Sequence, residues 1–505
     1  MTTGKRFFMT SFFSKVFTRY PVKTRRLLEL FPGFLVWTII LFPFWGAFFL
    51  PTIVAYFILF FDIFFFYKSF SLAITASIAS QKISKTEKQD WYQKVKELAN
   101  ERRVDHVLII PNYKENTDKL RLTLQALANQ SYPRPYLHVV LAMEEREKEA
   151  SGRADTLIRE YKHIFGHIFA TYHPDLPSEV KGKSSNEAYA GKVAYHKLFE
   201  KGDLDINYAT VSSVDADSIF HKEFFAHLTY KFLTDPLRYN KFWQSATVYH
   251  NNIWKVPAPT RIISFFGSLW RTALLAQGDR LITNATYSLS YKLLKQIGFW
   301  DVDVIPEDYR IFFKAFFALR GQVHVEPIFL RTSMDAPHST SYFNSLRNKY
   351  DQERRWAWGV SDDPLFIKWW LTVPDVPFFR KTSLLFHVLL DHVLWPTNWF
   401  IVTIAANIMA LLNPIYSRTS LGFYLPQLAG ILLNTCLLAL VIMLYLDYKN
   451  RPENTHLPLK RKILFPLEFL LMPIVGFFLS ALPALISHTQ LMLGKRMEYK
   501  VTEKV

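Results

Sequence analysis

The most constraining feature of the sequence is an apolar stretch from Phe31 to Tyr67 that carries one charged side chain, Asp62. A helix needs roughly 20 apolar residues to cross the hydrocarbon core of a bilayer, so this stretch is long enough for two crossings. It also greatly exceeds the apolar core of a cleaved signal peptide, about 7–15 residues. Pro51 is a natural break between two helices. The sequence therefore predicts a transmembrane hairpin within residues 31–78.

Further apolar runs lie near the C-terminus, at residues 383–417, 419–446 and 463–494. The last run is interrupted by three prolines and one glycine: Pro466, Pro473, Gly476 and Pro483. These residues predict a broken or re-entrant pair of helices, which is tolerated only where protein covers the freed backbone groups. The part between the hairpin and these runs has globular composition, which indicates a soluble domain held between membrane anchors.

Basic residues flank the apolar segments at the N-terminus, in the loop after residue 446 and at the C-terminus. Cytoplasmic flanks of membrane helices are enriched in Lys and Arg, so all three segments and the soluble domain are expected in the cytosol. This orientation accounts for most of the net charge of +17. A nucleic-acid partner is therefore not required. We expect a multi-pass protein of a bacterial or archaeal plasma membrane, because no long luminal domain is present.

The soluble part alternates short apolar runs with helical patterns. Extended segments are predicted at 104–110, 137–143, 165–171 and 207–214, with amphipathic helices between them. This alternation predicts an α/β fold with a mostly parallel, Rossmann-like sheet, whose ligands bind at the carboxyl ends of the strands. Neither GxGxxG after the first strand nor GxxxxGK[ST] is present, so dinucleotide and Walker-type sites are unsupported. The single cysteine excludes a disulfide scaffold and multi-cysteine metal sites.

Two acidic groups are candidates for chemistry. Asp215 and Asp217 directly follow a predicted strand, where both carboxylates could hold Mg²⁺ or Mn²⁺; the alternative is a helix cap. Glu307 and Asp308 begin an apolar helix, where a carboxylate could act as a general base; the alternative is a favourable interaction with the helix dipole.

Two basic groups complete the set. Gln352, Arg355 and Trp356 precede the membrane helices, and Arg suits bidentate phosphate binding whereas Trp can stack on a sugar; a solvated basic helix is the alternative. Lys181 and Lys183 open a predicted helix, where backbone N–H groups and a lysine suit a phosphate, although surface loops often look similar.

The order of these motifs resembles that of the membrane-integrated family 2 glycosyltransferases, which include cellulose, hyaluronan and poly-N-acetylglucosamine synthases. The resemblance rests on a strand followed by Asp-Ala-Asp, then Glu-Asp, then QxxRW before membrane helices, and it covers about residues 30–505. The C-terminal peptide resembles the FxVTxK gating loop of cellulose synthases, with Tyr499, Val501, Thr502 and Lys504 at the motif positions. A GT-A nucleotide-diphospho-sugar transferase fold is implied.

The resemblance implies a role for each matched residue. Asp215 and Asp217 would hold Mg²⁺ or Mn²⁺ on the donor diphosphate, and Asp308 of the Glu307-Asp308 pair would deprotonate the acceptor hydroxyl. The residues implied in binding the donor or the terminal acceptor sugar are Pro111, Tyr113, Glu115, Lys181 or Lys183, Gln352, Arg355 and Trp356.

One position departs from the family pattern. Glu144 and its neighbours stand where the family usually has an aspartate pair for the nucleotide base. A UDP-sugar is the favoured donor, and GDP-mannose stays open. The sequence does not define the oligomeric state.

The predicted function is inverting transfer of a sugar from a nucleoside-diphosphate donor to a growing polysaccharide, with coupled secretion. The alternatives are single-sugar transfer to a polyprenyl phosphate or another lipid, and a non-catalytic membrane scaffold or receptor. The predicted parts are a cytosolic N-terminus (1–30), a transmembrane hairpin (31–78), a transferase domain (100–345), QxxRW and interfacial helices (346–395), C-terminal transmembrane helices (396–494) and a gating-type tail (495–505).

Overall fold

The computed structural model describes residues 12–98, 102–451 and 459–498. Its soluble domain is built on one sheet of eight strands in the order β3-β2-β1-β4-β7-β6-β8-β5. The strands are β1 (Asp105–Pro111), β2 (Leu137–Glu144), β3 (His167–His173), β4 (Ala209–Ser213), β5 (Ile219–Phe220), β6 (Lys241–Val248), β7 (Tyr287–Ser290) and β8 (His324–Ser333).

The sheet is mixed, and its first half matches the sequence prediction. Strands β1 to β4 are mutually parallel, in the order that alternating strands and helices favour. Strand β7 is antiparallel to both β4 and β6, and β5 is antiparallel to β8. The α/β class is confirmed, while parallel pairing is concentrated in the half of the sheet nearest the N-terminus.

Helices cover both faces of the sheet. Along β1, Val107 and Ile109 belong to one buried cluster, whereas Leu108 and Ile110 belong to the other. This alternation explains why the strand is a continuous apolar run, since neither face meets water. The helices of the domain are α3 (Trp91–Lys96), α4 (Thr117–Ala128), α5 (Ala150–Tyr161), α6 (Lys183–Tyr195), α7 (Phe224–Thr234), α8 (Ala258–Leu274), α9 (Tyr291–Gln296), α10 (Glu307–Ala318), α11 (Tyr342–Ala357) and α12 (Asp363–Thr372).

In the described part of the chain, five helices are long and apolar enough to cross a membrane. They are α1 (Pro21–Phe49), α2 (Pro51–Thr86), α13 (Phe378–Leu412), α15 (Ser420–Asn450) and α16 (Leu464–Met492), with the short α14 (Pro414–Ser417) between α13 and α15. The two helices predicted on either side of Pro51 correspond to α1 and α2. Both helices extend beyond the predicted range 31–78, into the basic N-terminal segment and toward the soluble domain.

Two predictions about the later helices are corrected. The boundary at residue 395, between interfacial and transmembrane helices, falls inside the continuous helix α13. The predicted broken pair within 463–494 is a single helix, α16, with a 3-10 turn at Phe469–Leu471 and a π-helical turn at Phe477–Ala481. The prolines and the glycine therefore distort the helix without ending it, as a π-bulge commonly does.

Helix α16 contacts elements of the soluble domain near both of its ends. Glu468 forms an ion pair with Arg261 of α8 at 2.8 Å. Near the other end, the Ser487 hydroxyl donates to the carbonyl of Arg354 in α11 at 2.8 Å. Arg26, at the start of α1, donates to the Leu491 carbonyl at 2.8 Å. The two ends of α16 thus lie on the same side of the helical bundle as the soluble domain.

Candidate active site

One cavity of about 1020 Å³ extends from the sheet into the helical bundle. It begins at the carboxyl ends of β1, β2 and β4, where ligands bind in sheets of this kind. The predicted site residues that line it are Pro111, Tyr113, Glu115, Glu144, Lys183, Asp215, Asp217, Glu307, Asp308, Gln352, Arg355 and Trp356. The structure therefore brings together motifs that are separated by more than two hundred residues in the sequence.

The two aspartates of the Asp-Ala-Asp motif follow β4 and line the cavity. The Asp215 carboxylate lies 2.8 Å from the Lys183 ammonium, and the Asp217 carboxylate accepts a hydrogen bond from the Asp335 backbone N–H at 2.9 Å. No group of three or more His, Cys, Asp or Glu side chains with metal-binding geometry occurs among the described residues. Two carboxylates suit a hard cation that takes its remaining ligands from substrate phosphates, so the residues fit Mg²⁺ or Mn²⁺.

Lys183 is the centre of a buried ionic cluster. Its ammonium lies 2.8 Å from Asp215, 2.8 Å from Glu307 and 3.8 Å from Glu187, and it donates to the Ala285 carbonyl at 2.9 Å. Burial opposes the charge of this lysine, but the three carboxylates outweigh that effect and raise its pKa well above the ordinary value. Burial raises the pKa of Glu307 to about 7 in spite of Lys183.

The two candidate lysines occupy different environments. Lys181 has a side chain 55% exposed, pairs with Asp175 at 2.6 Å and is absent from the cavity lining. Helix α6 begins at Lys183, which places this lysine at the cavity and Lys181 in the preceding surface loop. Of the two lysines, Lys183 therefore lines the cavity and is the better candidate for a phosphate contact. Spacing in the sequence leaves this choice open.

Asp308 is held by the backbone on both carboxylate oxygens. One oxygen accepts from the Ala285 N–H at 2.9 Å and the other from its neighbour Tyr309 at 3.0 Å. Burial is the largest effect on this carboxyl and raises its pKa, against those two hydrogen bonds and Lys183. A fixed carboxylate with a raised pKa at a cavity wall is suited to accept a proton.

Glu144 lies at the end of β2, in the corner of the cavity nearest β1. It is buried, and its carboxylate contacts Arg146 at 3.2 Å and His173 at 3.5 Å. The Arg146 guanidinium lies over the Tyr113 ring, 4.3 Å from its centroid. Tyr113, Glu144 and Arg146 together form an aromatic and polar corner of the kind that can hold a nucleotide base.

The QxxRW segment lies on α11. The Gln352 side chain accepts from Lys349 at 3.0 Å, and the Trp356 ring stacks on Tyr249 with centroids 6.5 Å apart. The Arg271 guanidinium lies 5.1 Å from the Trp356 ring centroid. Residues 499–505, which contain the predicted gating positions Tyr499, Val501, Thr502 and Lys504, lie outside the described residues.

Sequence reasoning missed several cavity residues, among them Tyr249 and Arg271. Arg271 lies on the buried side of α8, and its guanidinium donates to the Tyr249 hydroxyl at 2.7 Å. An arginine within the apolar pattern of α8 is a usable signal, because charged side chains are rarely buried without a reason. Glu187 gives no comparable signal, since its burial depends on the Lys183 cluster.

Residues 211–447 match a protein-family model described as "Glycosyl transferase family group 2". This segment, a little under half of the chain, corresponds to a glycosyltransferase family 2 domain. The matched segment begins in β4, includes both acidic motifs and the QxxRW motif, and continues through α13 into α15. The transferase domain has the GT-A-like fold that the motif order predicts, and the protein is a glycosyltransferase.

Several solved structures are similar at low identity. The mannosyltransferase PcManGT from Pyrobaculum calidifontis, in complex with GDP-Man and Mn²⁺, has 15% identity and a TM-score of 0.44, covering 75% of this chain and 98% of that one. TarS 1-349 from S. aureus, in complex with UDP-GlcNAc, has 13% identity and a TM-score of 0.35, covering 78% and 93%. A comparison with curated proteins gave no match.

Proposed function

We propose that this glycosyltransferase transfers a sugar from a nucleoside-diphosphate donor to an acceptor hydroxyl, with inversion at the anomeric carbon. The observation that carries the proposal is the convergence of Asp215, Asp217, Asp308 and Arg355 on one cavity. A UDP-sugar remains the favoured donor and GDP-mannose the alternative. Release of nucleoside diphosphate from a panel of donors by the purified protein tests the proposal; release above the rate in buffer is expected, and its absence for every donor would contradict it.

The proposed chemistry is a single displacement. The acceptor oxygen bonds to the anomeric carbon while the bond from that carbon to the diphosphate breaks, and the diphosphate keeps the electron pair. Asp308 takes the hydroxyl proton, and Arg355 and Lys183 stabilise the charge that grows on the leaving group. Asp215 and Asp217 would hold the divalent cation, which would supply further charge neutralisation at the diphosphate when bound.

Loss of the metal provides the first prediction. We expect a divalent-metal chelator to reduce nucleoside diphosphate release by at least about 100-fold, because stabilisation of the leaving group by a metal contributes several kcal/mol. Asp217→Asn should give a similar loss that added Mn²⁺ does not restore, whereas Mn²⁺ should restore the chelated wild-type protein. Full activity in the chelator would exclude the metal site.

The alternative to catalysis is a non-catalytic membrane scaffold or receptor. That alternative would require the acidic motifs and the QxxRW motif to have a role other than sugar transfer. All three acidic motif positions and the QxxRW positions are retained and line one cavity. A decayed domain would be expected to lose at least one carboxylate, so catalysis is the better-supported function.

The membrane topology follows from the path of α16. We infer that α1, α2, α13 and α15 cross the membrane and that α16 lies along the side of the bundle that faces the transferase domain. The contacts of Glu468 with Arg261 and of Ser487 with Arg354 support this path. Four crossings would leave both termini in the cytosol, which agrees with their basic composition.

Labelling of single cysteines tests this topology. In a Cys436→Ser background expressed in intact bacterial cells, a membrane-impermeant maleimide should label Arg418→Cys, in the loop after α14. It should label Lys495→Cys, just after α16, only when the cells are permeabilised. Both positions are exposed in the structure. Labelling of Lys495→Cys in intact cells would show that α16 crosses the membrane.

A further inference from the structure

The membrane-side half of the cavity is not used by the donor chemistry. It continues past Asp308 to a charged group at the start of the helical bundle, formed by Lys68, Arg280 and Asp391. Beyond this group the walls become aromatic and apolar, with Trp395 among the lining residues. The charged group therefore lies between the reaction centre and the apolar end of the cavity.

The charges on this wall do not balance. Arg280 donates to both oxygens of Asp391, at 2.7 and 2.8 Å, and Lys68 lies 3.6 Å from the same carboxylate. Two cations thus share one anion. Arg271 is 9% exposed and donates to the Tyr249 hydroxyl at 2.7 Å, and among the described residues it forms no ion pair with a carboxylate. Its Nε atom is buried without a hydrogen-bond partner.

Cations that are partly withdrawn from water and outnumber their counter-charges are costly, so a wall of this kind is suited to an anion. Arginine pairs well with phosphate because its planar fork can donate two parallel hydrogen bonds. Tyr309, next to Asp308 in the chain, also lines the cavity; burial raises the pKa of its phenol, and Asp308 raises it further. An anion bound here would lie close to the proposed base.

The apolar end of the cavity opens sideways. The lining residues that are also exposed lie on three helices and are Thr403 of α13, Asn434 and Leu437 of α15, and Met472 and Pro473 of α16. Leu437 is 54% exposed. The positions on α13 and α15 lie along helices inferred to cross the membrane, where the surroundings are lipid.

The end of the helical bundle farthest from the transferase domain is closed by packed side chains. Ile401, Ala405 and Met409 of α13 form a buried cluster with Leu425 and Ala429 of α15. The cavity lining reaches only Thr403 on α13 and Leu433 on α15. A molecule in this cavity would therefore enter from the hydrocarbon core of the bilayer, whereas passage straight through the bundle is blocked in this conformation.

We propose that the acceptor is a phosphate-bearing lipid whose phosphate binds at Lys68, Arg280 and Arg271 and whose hydrocarbon tail leaves through the opening between α13, α15 and α16. The proposal rests on the proposed function and deepens it. A hydroxyl of the lipid headgroup bonds to the anomeric carbon, its proton passes to Asp308, and the nucleoside diphosphate leaves with the electron pair.

Binding of two matched probes tests the site. Geranylgeranyl phosphate and geranylgeraniol share one tail and differ only in the phosphate. Their binding to the detergent-purified full chain would be followed by tryptophan fluorescence, with UDP and Mn²⁺ added to fill the donor site. We expect the phosphate probe to bind at least about tenfold more tightly, the difference that one charged contact typically provides. Equal affinities would overturn the proposal.

Variants separate the proposed contact from a general effect of charge. Lys68→Gln combined with Arg280→Gln should reduce the preference for phosphate to less than about threefold, whereas Asp391→Asn should increase it because one competing anion is removed. Arg320→Gln, at an exposed arginine that pairs with Asp375, is the matched control and should leave the preference unchanged. An unchanged preference in both the double variant and Asp391→Asn would contradict the proposal even if the double variant folds poorly.

Donor binding in the same preparations distinguishes two kinds of failure. If donor is bound and hydrolysed but the phosphate probe has no advantage, the acceptor inference is wrong and the transferase proposal stands. If no donor is bound or hydrolysed, the proposed function itself is wrong.

Discussion

Asp308→Asn is expected to reduce sugar transfer by at least about 100-fold, because a positioned general base contributes about 10²- to 10⁴-fold. The substitution retains the shape of the side chain, and the amide oxygen can still accept one of the two backbone hydrogen bonds from Ala285 and Tyr309. Donor affinity should stay within about threefold of the wild-type value, since Asp308 does not belong to the proposed diphosphate contacts. Transfer rates with radiolabelled donor and donor affinity by calorimetry measure the two effects.

Glu307→Gln is the matched control for this prediction. Glu307 is the adjacent carboxylate, but it pairs with Lys183 at 2.8 Å and is buried. Its loss should mainly affect donor binding and stability, through the Lys183 cluster. An Asp308→Asn protein that transfers sugar at close to the wild-type rate would refute the base assignment. A loss of donor binding in that variant would assign Asp308 to the donor site instead.

Lys183→Met is expected to have the second large effect, on both stability and donor binding. It keeps the length of the side chain but leaves Glu307 and Glu187 buried without their counter-charge. Breaking a buried ion pair by removing one partner costs about 3–5 kcal/mol. The free energy of unfolding should fall by about that amount, less the part relieved when the buried carboxyls take up protons.

Lys181→Met is the comparison for this effect. Lys181 forms an exposed pair with Asp175, and exposed pairs contribute about 0–1 kcal/mol. Thermal unfolding and donor binding of the two variants should therefore differ clearly. Equal effects at Lys181 and Lys183 would contradict the assignment of the phosphate-binding lysine to the start of α6.

Much of the fold could be predicted from local patterns. Helices cover both faces of the sheet at β1 and β2, so both strands are continuous apolar runs. Their predicted ends lie within about two residues of the ends in the structure, which is the usual uncertainty of element ends. Pro51 marks the turn of the hairpin directly. The antiparallel pairings of β7 and β5 were not predicted, because these two strands are short and their pairing is set by distant contacts.

The limits of the site prediction are also physical. Motif order identified the residues that converge on the cavity, but spacing could not choose between Lys181 and Lys183, since the choice depends on where α6 begins. Hydropathy indicates the length of α16 but not its path relative to the other helices. That path depends on contacts such as the ion pair between Glu468 and Arg261. Arg271 was missed because its role depends on Tyr249 and Trp356, which come from other elements.

The acceptor distinguishes this account from synthesis and secretion of a polysaccharide. Aromatic side chains such as Trp395 and Trp399 line the cavity and would suit a sugar chain. The closed end at Met409 and the lateral opening at Leu437 favour a lipid in the conformation described. Both acceptors would use the same donor site and the same base.

The most direct test is to supply the detergent-purified protein with radiolabelled UDP-glucose, UDP-N-acetylglucosamine, UDP-glucuronate or GDP-mannose, together with Mn²⁺ and membrane lipids. Products would be separated by organic extraction and gel filtration, beside Asp308→Asn. The account predicts label in the organic phase from at least one donor, lost in Asp308→Asn. High-molecular-weight product lost in the same variant would contradict the lipid acceptor, and no transfer from any donor would contradict the proposed function as a whole.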